Sequence, residues 1–214
     1  MDMANNTPGW LTPIAWVFIA LALLTAVAIA YDIYARDRRH DTVAVEVVWI
    51  ASALYLGPLA LFVYRRHGRA AGRAEQPVAV AGLPGGGASA LAHLIGVPLV
   101  LASGLTIAGI DLWVMIIVIG AIAIALLFGY ERLATTAPGR VSVGTALAAA
   151  TLTVLAFDLG MGGWMLLLHF NELMPPATEG SFWFLMQVGI LLGLLTGYPV
   201  VRWLAAREPA VAAA

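Results

Sequence analysis

The chain has 214 residues, of which 62% are hydrophobic and only 11% are charged, and its formal net charge is −1. A soluble globular domain is nearer half apolar and a quarter charged, so the composition excludes a soluble domain, a disordered tail and a fibrous repeat. It predicts an all-α, polytopic membrane helical bundle in contact with a lipid bilayer. The chain shows no basic stripe, which argues against a nucleic-acid partner.

The chain contains no cysteine, and all eleven of its basic residues are arginine. The lack of cysteine excludes disulfides, thiolate metal sites and a thiol nucleophile. No nucleophile elbow, P-loop, dinucleotide fingerprint or zinc-helix motif is present either. An enzyme is therefore expected only if its site is buried within the membrane.

The first two apolar stretches lie at about 10–31 and 43–64. The first is longer than the apolar core of a signal peptide and its N-terminal flank has no arginine, so we expect an uncleaved span. The second contains Gly57-Pro58, which should kink a continuous transmembrane helix and makes the pair a hinge candidate. A flexible loop is predicted for 65–87, where the run Pro84-Gly85-Gly86-Gly87 lies.

The next 43 residues, 88–130, are apolar apart from Asp111. One helix of that length would measure about 64 Å, twice the thickness of a bilayer core, so we divide it near Gly109 into spans at 88–109 and 112–130. The last two spans are predicted at 141–169 and 181–204. The whole chain, 1–214, is read as a single membrane domain of about six helices.

Six spans would place both termini on the same side of the membrane. That side would carry eight arginines, and the opposite side would carry three, the cluster Arg36, Arg38 and Arg39. The positive-inside rule then predicts that both termini are cytoplasmic. The Arg36–Arg39 cluster fits this orientation poorly.

Glycines recur along the last two spans. Gly189, Gly193 and Gly197 follow one another at intervals of four, and Gly160 and Gly163 lie in the fifth span. Such spacing removes side chains from one helix face and lets another backbone approach closely. The simpler interpretation is contact between these two consecutive spans. The alternative is a homo-oligomer, or assembly with another membrane protein, through the Gly189/Gly193/Gly197 face.

Asp158 lies well inside the fifth span, where a charged side chain is costly and is by default a functional candidate. Gln187 and Glu46 are expected in the same half of the membrane. The sequence therefore predicts a binding or transport site formed by Asp158, Gln187 and Glu46. The other interpretation of Asp158 is a hydrogen bond that joins two helices.

Met161, Met165 and His169 are spaced at intervals of four on the fifth span. Thioether and imidazole groups are ligands that suit copper, so an outer-leaflet copper or redox site is an alternative. Methionine at helical spacing is also an ordinary core residue, and on that interpretation no cofactor is expected.

The last two spans resemble one bacterial membrane-protein family. The similarity lies in Phe157-Asp158-Leu159-Gly160-Met161-Gly162-Gly163-Trp164-Met165, in Phe182-Trp183-Phe184-Leu185-Met186-Gln187 and in Gly197-Tyr198-Pro199-Val200-Val201-Arg202-Trp203-Leu204. These stretches are similar to domain-of-unknown-function family 4396, and the second span also looks like the second helix of that family. The chain has no counterpart of a His-Cys-Gly-x-Gly-Cys stretch often found in the family. The resemblance implies a six-helix, multi-pass protein of a bacterial inner membrane and brings no established activity.

The leading functional hypothesis is therefore a small transport or ion-handling bundle centred on Asp158. The alternatives are a non-catalytic structural or assembly partner that packs through the glycine face, and a copper or redox protein that uses His169.

Overall fold

The computed structural model describes residues 6–69, 80–134 and 142–207, and these residues form an almost entirely helical protein. The predicted all-α class is therefore confirmed. Within the described residues the single isolated β-bridge joins Ile107 and Ile110. The helices are α1 (Leu11–Tyr34), α2 (Val43–Leu56), α3 (Pro58–Val63, continued by a π-helical turn at Tyr64–Gly68), α4 (Leu83–Ser103), α5 (Asp111–Leu133), α6 (Val143–Phe170) and α7 (Gly180–Arg207).

Five of the helices, α1, α4, α5, α6 and α7, are long and apolar enough to cross a membrane. They have 21 to 28 residues each, against about 20 needed for a bilayer core. The chain is thus a multi-pass membrane protein. The sixth predicted span, at 43–64, is not among these five helices.

Residues 43–68 form a helical hairpin rather than the predicted kinked span. Gly57 has φ +56° and ψ −137°, and Pro58 then starts a new helix. Glycine adopts this positive φ without strain, and the chain reverses here, because Tyr64 returns to the ring of Trp49 at 5.6 Å; a proline kink would only bend the helix. The hairpin tip packs against Phe18, where a Cβ on Gly57 would lie 3.0 Å from the ring. The returning helical segment of the hairpin brings Gly68 back to the side chain of Trp49.

The two ends of the hairpin lie beside the C-terminal end of α1. Arg69 bonds to Asp32 near the end of α1, and the ring Nε2 of His40 lies 2.9 Å from the Gly68 carbonyl oxygen. The hairpin therefore enters and leaves at one face of the bundle. Non-helical backbone at membrane depth is tolerated only where protein surrounds it or water reaches it, and here Phe18 covers the turn.

The N-terminal end of α1 lies beside the start of α7. The Asn6 N–H donates to the Glu172 carbonyl at 3.0 Å, and the rings of Phe18 and Phe184 meet edge to face at 5.4 Å. We call this end of the bundle the N-terminal face; it comprises residues 6–10, 104–111 and 171–179. The opposite end, the arginine face, comprises residues 35–42, 64–69 and 80–82 and the C-terminal ends of α5 and α7.

The described N-terminal residues and the end of α7 consequently lie at opposite ends of the bundle, whereas the sequence predicts that both termini share a side. The difference follows directly from the hairpin. A segment that returns to its own side adds no crossing, so five long apolar helices lie between the described N-terminal residues and the end of α7.

Helix α4 begins at Leu83, within the stretch predicted to be a flexible loop at 65–87. A Cβ on Gly86 would lie 2.7 Å from the ring of Tyr55, and one on Gly87 would lie 3.5 Å from Ala51. The glycine run therefore lets the first turn of α4 pack closely on α2, and residues 83–87 are helical rather than part of the predicted loop. Residues 70–79 of the predicted loop lie outside the described residues.

Candidate functional site

Asp158 lies half-buried on the side of α6 that contacts α5. Its Oδ2 atom is 3.2 Å from the position that a Cβ on Gly120 would occupy. Among the described residues no side chain or backbone group forms a hydrogen bond with this carboxyl. Leu155 and Leu159, on the adjacent surface of α6, are 56% and 76% exposed. Asp158 is thus at the rim of the α5–α6 contact, beside the surface that faces lipid.

The absence of a partner decides what this carboxyl can do. An ionised side chain at membrane depth is costly unless it is paired or hydrated. A neutral carboxyl carries one O–H donor and still accepts hydrogen bonds. A neutral Asp158 carboxyl would thus have an unused donor and unused acceptors, and an ionised one would need water or a cation beside it.

Gln187 does not join Asp158. It lies on α7 two residues after Leu185, whose carbonyl accepts a hydrogen bond from the Trp164 indole N–H at 2.9 Å. Trp164 is six residues beyond Asp158, or about 9 Å along α6. The Oε1 atom of Gln187 is buried and has no hydrogen-bond partner among the described residues. Gln187 thus lies nearer the N-terminal face than the carboxyl with which it was expected to meet.

Glu46 is also remote from Asp158, because it lies at the arginine face. Its carboxylate is fully buried and accepts two hydrogen bonds from Arg39, from Nε at 2.6 Å and from Nη2 at 3.1 Å. The backbone N–H of His40 adds a third at 3.1 Å. The carboxylate raises the pKa of Arg39 above its usual value, mainly through the direct hydrogen bond. Glu46 therefore anchors the connection between α1 and α2, and the structure does not bring the three predicted site residues together.

Asp32 is a buried carboxylate that sequence reasoning did not single out. Arg69 donates to it from Nε at 2.9 Å and from Nη2 at 2.8 Å, and the Tyr64 hydroxyl donates at 3.2 Å. The hydrogen-bonded carboxylate raises the pKa of Arg69. This cluster holds the returning end of the hairpin against α1. The only signal in the sequence was an aspartate at the end of an apolar span, which is an ordinary feature.

The proposed copper ligands are mostly core residues. Met161 and Met165 are each about 2% exposed, and the Met161 sulfur packs toward Gly189. His169 stacks edge to face on Phe170, with ring centroids 5.3 Å apart. Among the described residues no group of three or more His, Cys, Asp or Glu side chains is arranged to hold a metal ion. The geometry therefore gives the copper hypothesis no support.

The glycines of α7 face α6 within the same chain. A Cβ on Gly193 would lie 2.5 Å from the ring of Phe157, and one on Gly197 would lie 3.8 Å from the same residue. A Cβ on Gly189 would meet Met161, and one on Gly160 would lie 2.5 Å from the Leu192 carbonyl oxygen. Gly163, by contrast, has no neighbour from the described part of the chain within 4 Å of such a Cβ. The Gly189/Gly193/Gly197 face is thus occupied by α6 and is not free for a partner.

Comparison with known proteins identifies one match. The family model described as "Domain of unknown function (DUF4396)" matches residues 76–208, which include helices α4 to α7. No curated protein and no solved structure matches the chain. The matched residues contain Asp158 and the glycines of α6 and α7, whereas α1 and the hairpin lie outside them. Since the match covers more than half of the chain, the protein belongs to the DUF4396 family of domains of unknown function.

Proposed function

We propose that this protein is a small ion-handling membrane bundle in which the Asp158 carboxyl binds and releases a proton or a small cation. The observation that carries the proposal is the carboxyl at membrane depth with no partner among the described residues. Structural carboxylates elsewhere in the chain are different, because Asp32 and Glu46 are each fully engaged by an arginine. An unpartnered carboxyl retained inside an apolar helix is better explained by function than by stability.

The proposed site is smaller than the one predicted from the sequence. It consists of Asp158 at the α5–α6 contact, with Gly120 providing the space next to its carboxyl. Glu46 has a structural role, and Gln187 lies too far along the bundle to share one ligand with Asp158. Gly57 and Pro58 form the hairpin turn, and the proposal does not use them as a hinge.

The test is ion flux in proteoliposomes. Purified protein is reconstituted with an enclosed pH-sensitive dye, a membrane potential is applied with potassium and valinomycin, and internal pH is followed. We expect a proton flux above that of empty liposomes, and its loss in Asp158→Asn, which keeps the shape of the side chain and removes the titrating group. A flux that survives in Asp158→Asn would refute the assignment. An absence of flux in the native protein, with sodium and potassium tested likewise, would refute the function.

A second candidate follows from the position of Asp158 beside the lipid-facing Leu155 and Leu159. There the carboxyl is within reach of a helix from another membrane protein or from a second copy of the chain, so it could join an assembly. Asp158→Asn preserves hydrogen bonding, whereas Asp158→Leu removes it. An assembly contact predicts that the oligomeric state in detergent survives the first change and is lost with the second.

We further propose that the arginine face is cytoplasmic, in a bacterial inner membrane. Nine arginines lie within the described residues, and all nine are at this face: Arg36, Arg38, Arg39, Arg65, Arg66, Arg69, Arg132, Arg202 and Arg207. The described charges of the N-terminal face are Asp111, Glu172 and Glu179. The positive-inside rule then favours an external N-terminal face. The Arg36–Arg39 cluster, which fitted the six-span arrangement poorly, fits this one.

A further inference from the structure

An apolar groove of about 190 Å³ lies between the start of α4, the middle of α6 and the last third of α7. Its walls include Leu83 and Gly85 on α4, Phe157 on α6, and Gly197, Tyr198 and Val201 on α7. Gly85 and Gly197 present no side chain, and this leaves a depression where three helices meet.

The groove faces the bilayer rather than the interior of the bundle. Leu195, on its wall, is 70% exposed, and Tyr198 is exposed as well. In a membrane the molecules that reach such an opening are lipid tails. An acyl chain gains dispersion contacts when it fills an apolar depression that would otherwise be left without partner atoms.

The groove continues toward a positive charge at the arginine face. Leu195, Tyr198 and Arg202 follow one another at intervals of three and four, so they lie along one stripe of α7. Arg202 is exposed one turn beyond the groove. A chain in the groove would therefore carry its headgroup to the level of a guanidinium, which pairs well with phosphate.

We propose that this groove binds an anionic phospholipid, with an acyl chain between α4, α6 and α7 and the phosphate at Arg202. The proposal rests on the orientation proposed above, because the cytoplasmic leaflet is the one rich in anionic lipids. It does not depend on Asp158. Binding of the lipid leaves the proton site, on the α5 side of α6, unobstructed.

The test is native mass spectrometry of the purified protein in detergent, with phosphatidylglycerol and phosphatidylcholine of identical acyl chains added in equal amounts. One guanidinium at a membrane surface is worth about 1 kcal/mol, so we expect phosphatidylglycerol to be retained about fivefold more than phosphatidylcholine. Arg202→Gln should bring this ratio close to one. The matched control is Arg207→Gln, because Arg207 instead packs over the Trp203 ring at 4.3 Å and should leave the ratio unchanged.

A second variant tests the groove itself. A Cβ on Gly197 has only ordinary contacts, at 3.8 Å from Phe157, and Gly197 lines the groove, so Gly197→Val adds side-chain volume at the groove wall. It should reduce retention of both lipids, with thermal unfolding of the variant confirming that the bundle is intact. Equal retention of the two lipids by the native protein, an equal effect of Arg202→Gln and Arg207→Gln, or full retention in Gly197→Val would each overturn the proposal. Asp158→Asn should retain lipid as the native protein does, so failure of the ion-handling function and failure of the lipid site are separable.

Discussion

Two glycines on one helix provide the sharpest test of the packing. Gly160 and Gly163 are three residues apart in α6. A Cβ on Gly160 would lie 2.5 Å from the Leu192 carbonyl oxygen and 2.7 Å from the Thr196 hydroxyl. A Cβ on Gly163 would have no neighbour within 4 Å among residues 6–69, 80–134 and 142–207. The Gly160 N–H also donates to the Thr196 hydroxyl at 3.2 Å. Alanine at the first position must therefore separate α6 from α7, and at the second it meets nothing.

The magnitudes follow from these distances. Alanine in place of glycine stabilises a helix interior by up to about 1 kcal/mol, and this gain is shared by both positions. Overpacking against a neighbour costs about 1–3 kcal/mol, and the cost is at the upper end when the neighbour is backbone, which cannot rotate away. We therefore expect Gly160→Ala to lower the free energy of unfolding by about 1–2 kcal/mol. Gly163→Ala should leave it unchanged or raise it by up to about 1 kcal/mol.

The assay is reversible unfolding by sodium dodecyl sulfate in mixed micelles, followed by circular dichroism. The native protein and both variants are measured side by side, so that differences in micelle composition cancel. The close approach of α6 and α7 at Gly160 would be refuted if the two variants changed stability equally, or if Gly163→Ala were the more destabilising change.

Three further predictions concern the hairpin. Arg69→Gln removes both guanidinium hydrogen bonds to the buried Asp32 carboxylate, so we expect the variant to unfold at a lower fraction of sodium dodecyl sulfate in the same assay. An unchanged midpoint would contradict the inference that the Asp32–Arg69 contact holds the hairpin against α1. Gly57→Ala forces a side chain into φ +56° and against Phe18, so it should cost about 2 kcal/mol, and a neutral result would contradict the turn. Finally, the native chain contains no cysteine, so a single introduced cysteine reports on which side of the membrane its position lies. A membrane-impermeant thiol reagent should label Thr106→Cys in intact cells. It should label Asp41→Cys only after the cells are permeabilised. A kinked second span would place both positions on the same side and label them alike.

The family match covers the four later spanning helices and does not include α1 or the hairpin. Residues 76–208 contain four of the five spanning helices, so the shared part of the family includes the α6–α7 contact and Asp158. The first helix and the hairpin lie before it. We therefore expect Arg69→Gln, which removes the contact between the hairpin and Asp32, to change the stability of the protein. We expect Asp158→Asn to change its function.

Hydropathy was sufficient to predict the helical membrane class and the approximate positions of the five spanning helices, because about twenty apolar residues in sequence have few stable alternatives in a bilayer. The close contact between α6 and α7 was also foreseeable from the glycine spacing, since consecutive antiparallel helices meet. Asp158 was identifiable as unusual from its apolar surroundings alone.

The path of the chain at Gly57-Pro58 was decided only by the tertiary structure. A glycine-proline pair is compatible with both a kinked helix and a reversal, and the choice depends on partners far away in the sequence: Phe18 at the tip and Asp32 with Arg69 at the base. That choice determines the number of crossings, the face on which each arginine lies and the separation of Glu46 from Asp158. Hydropathy measures only how apolar a segment is, and long-range contacts determine whether an apolar segment crosses the membrane or turns back.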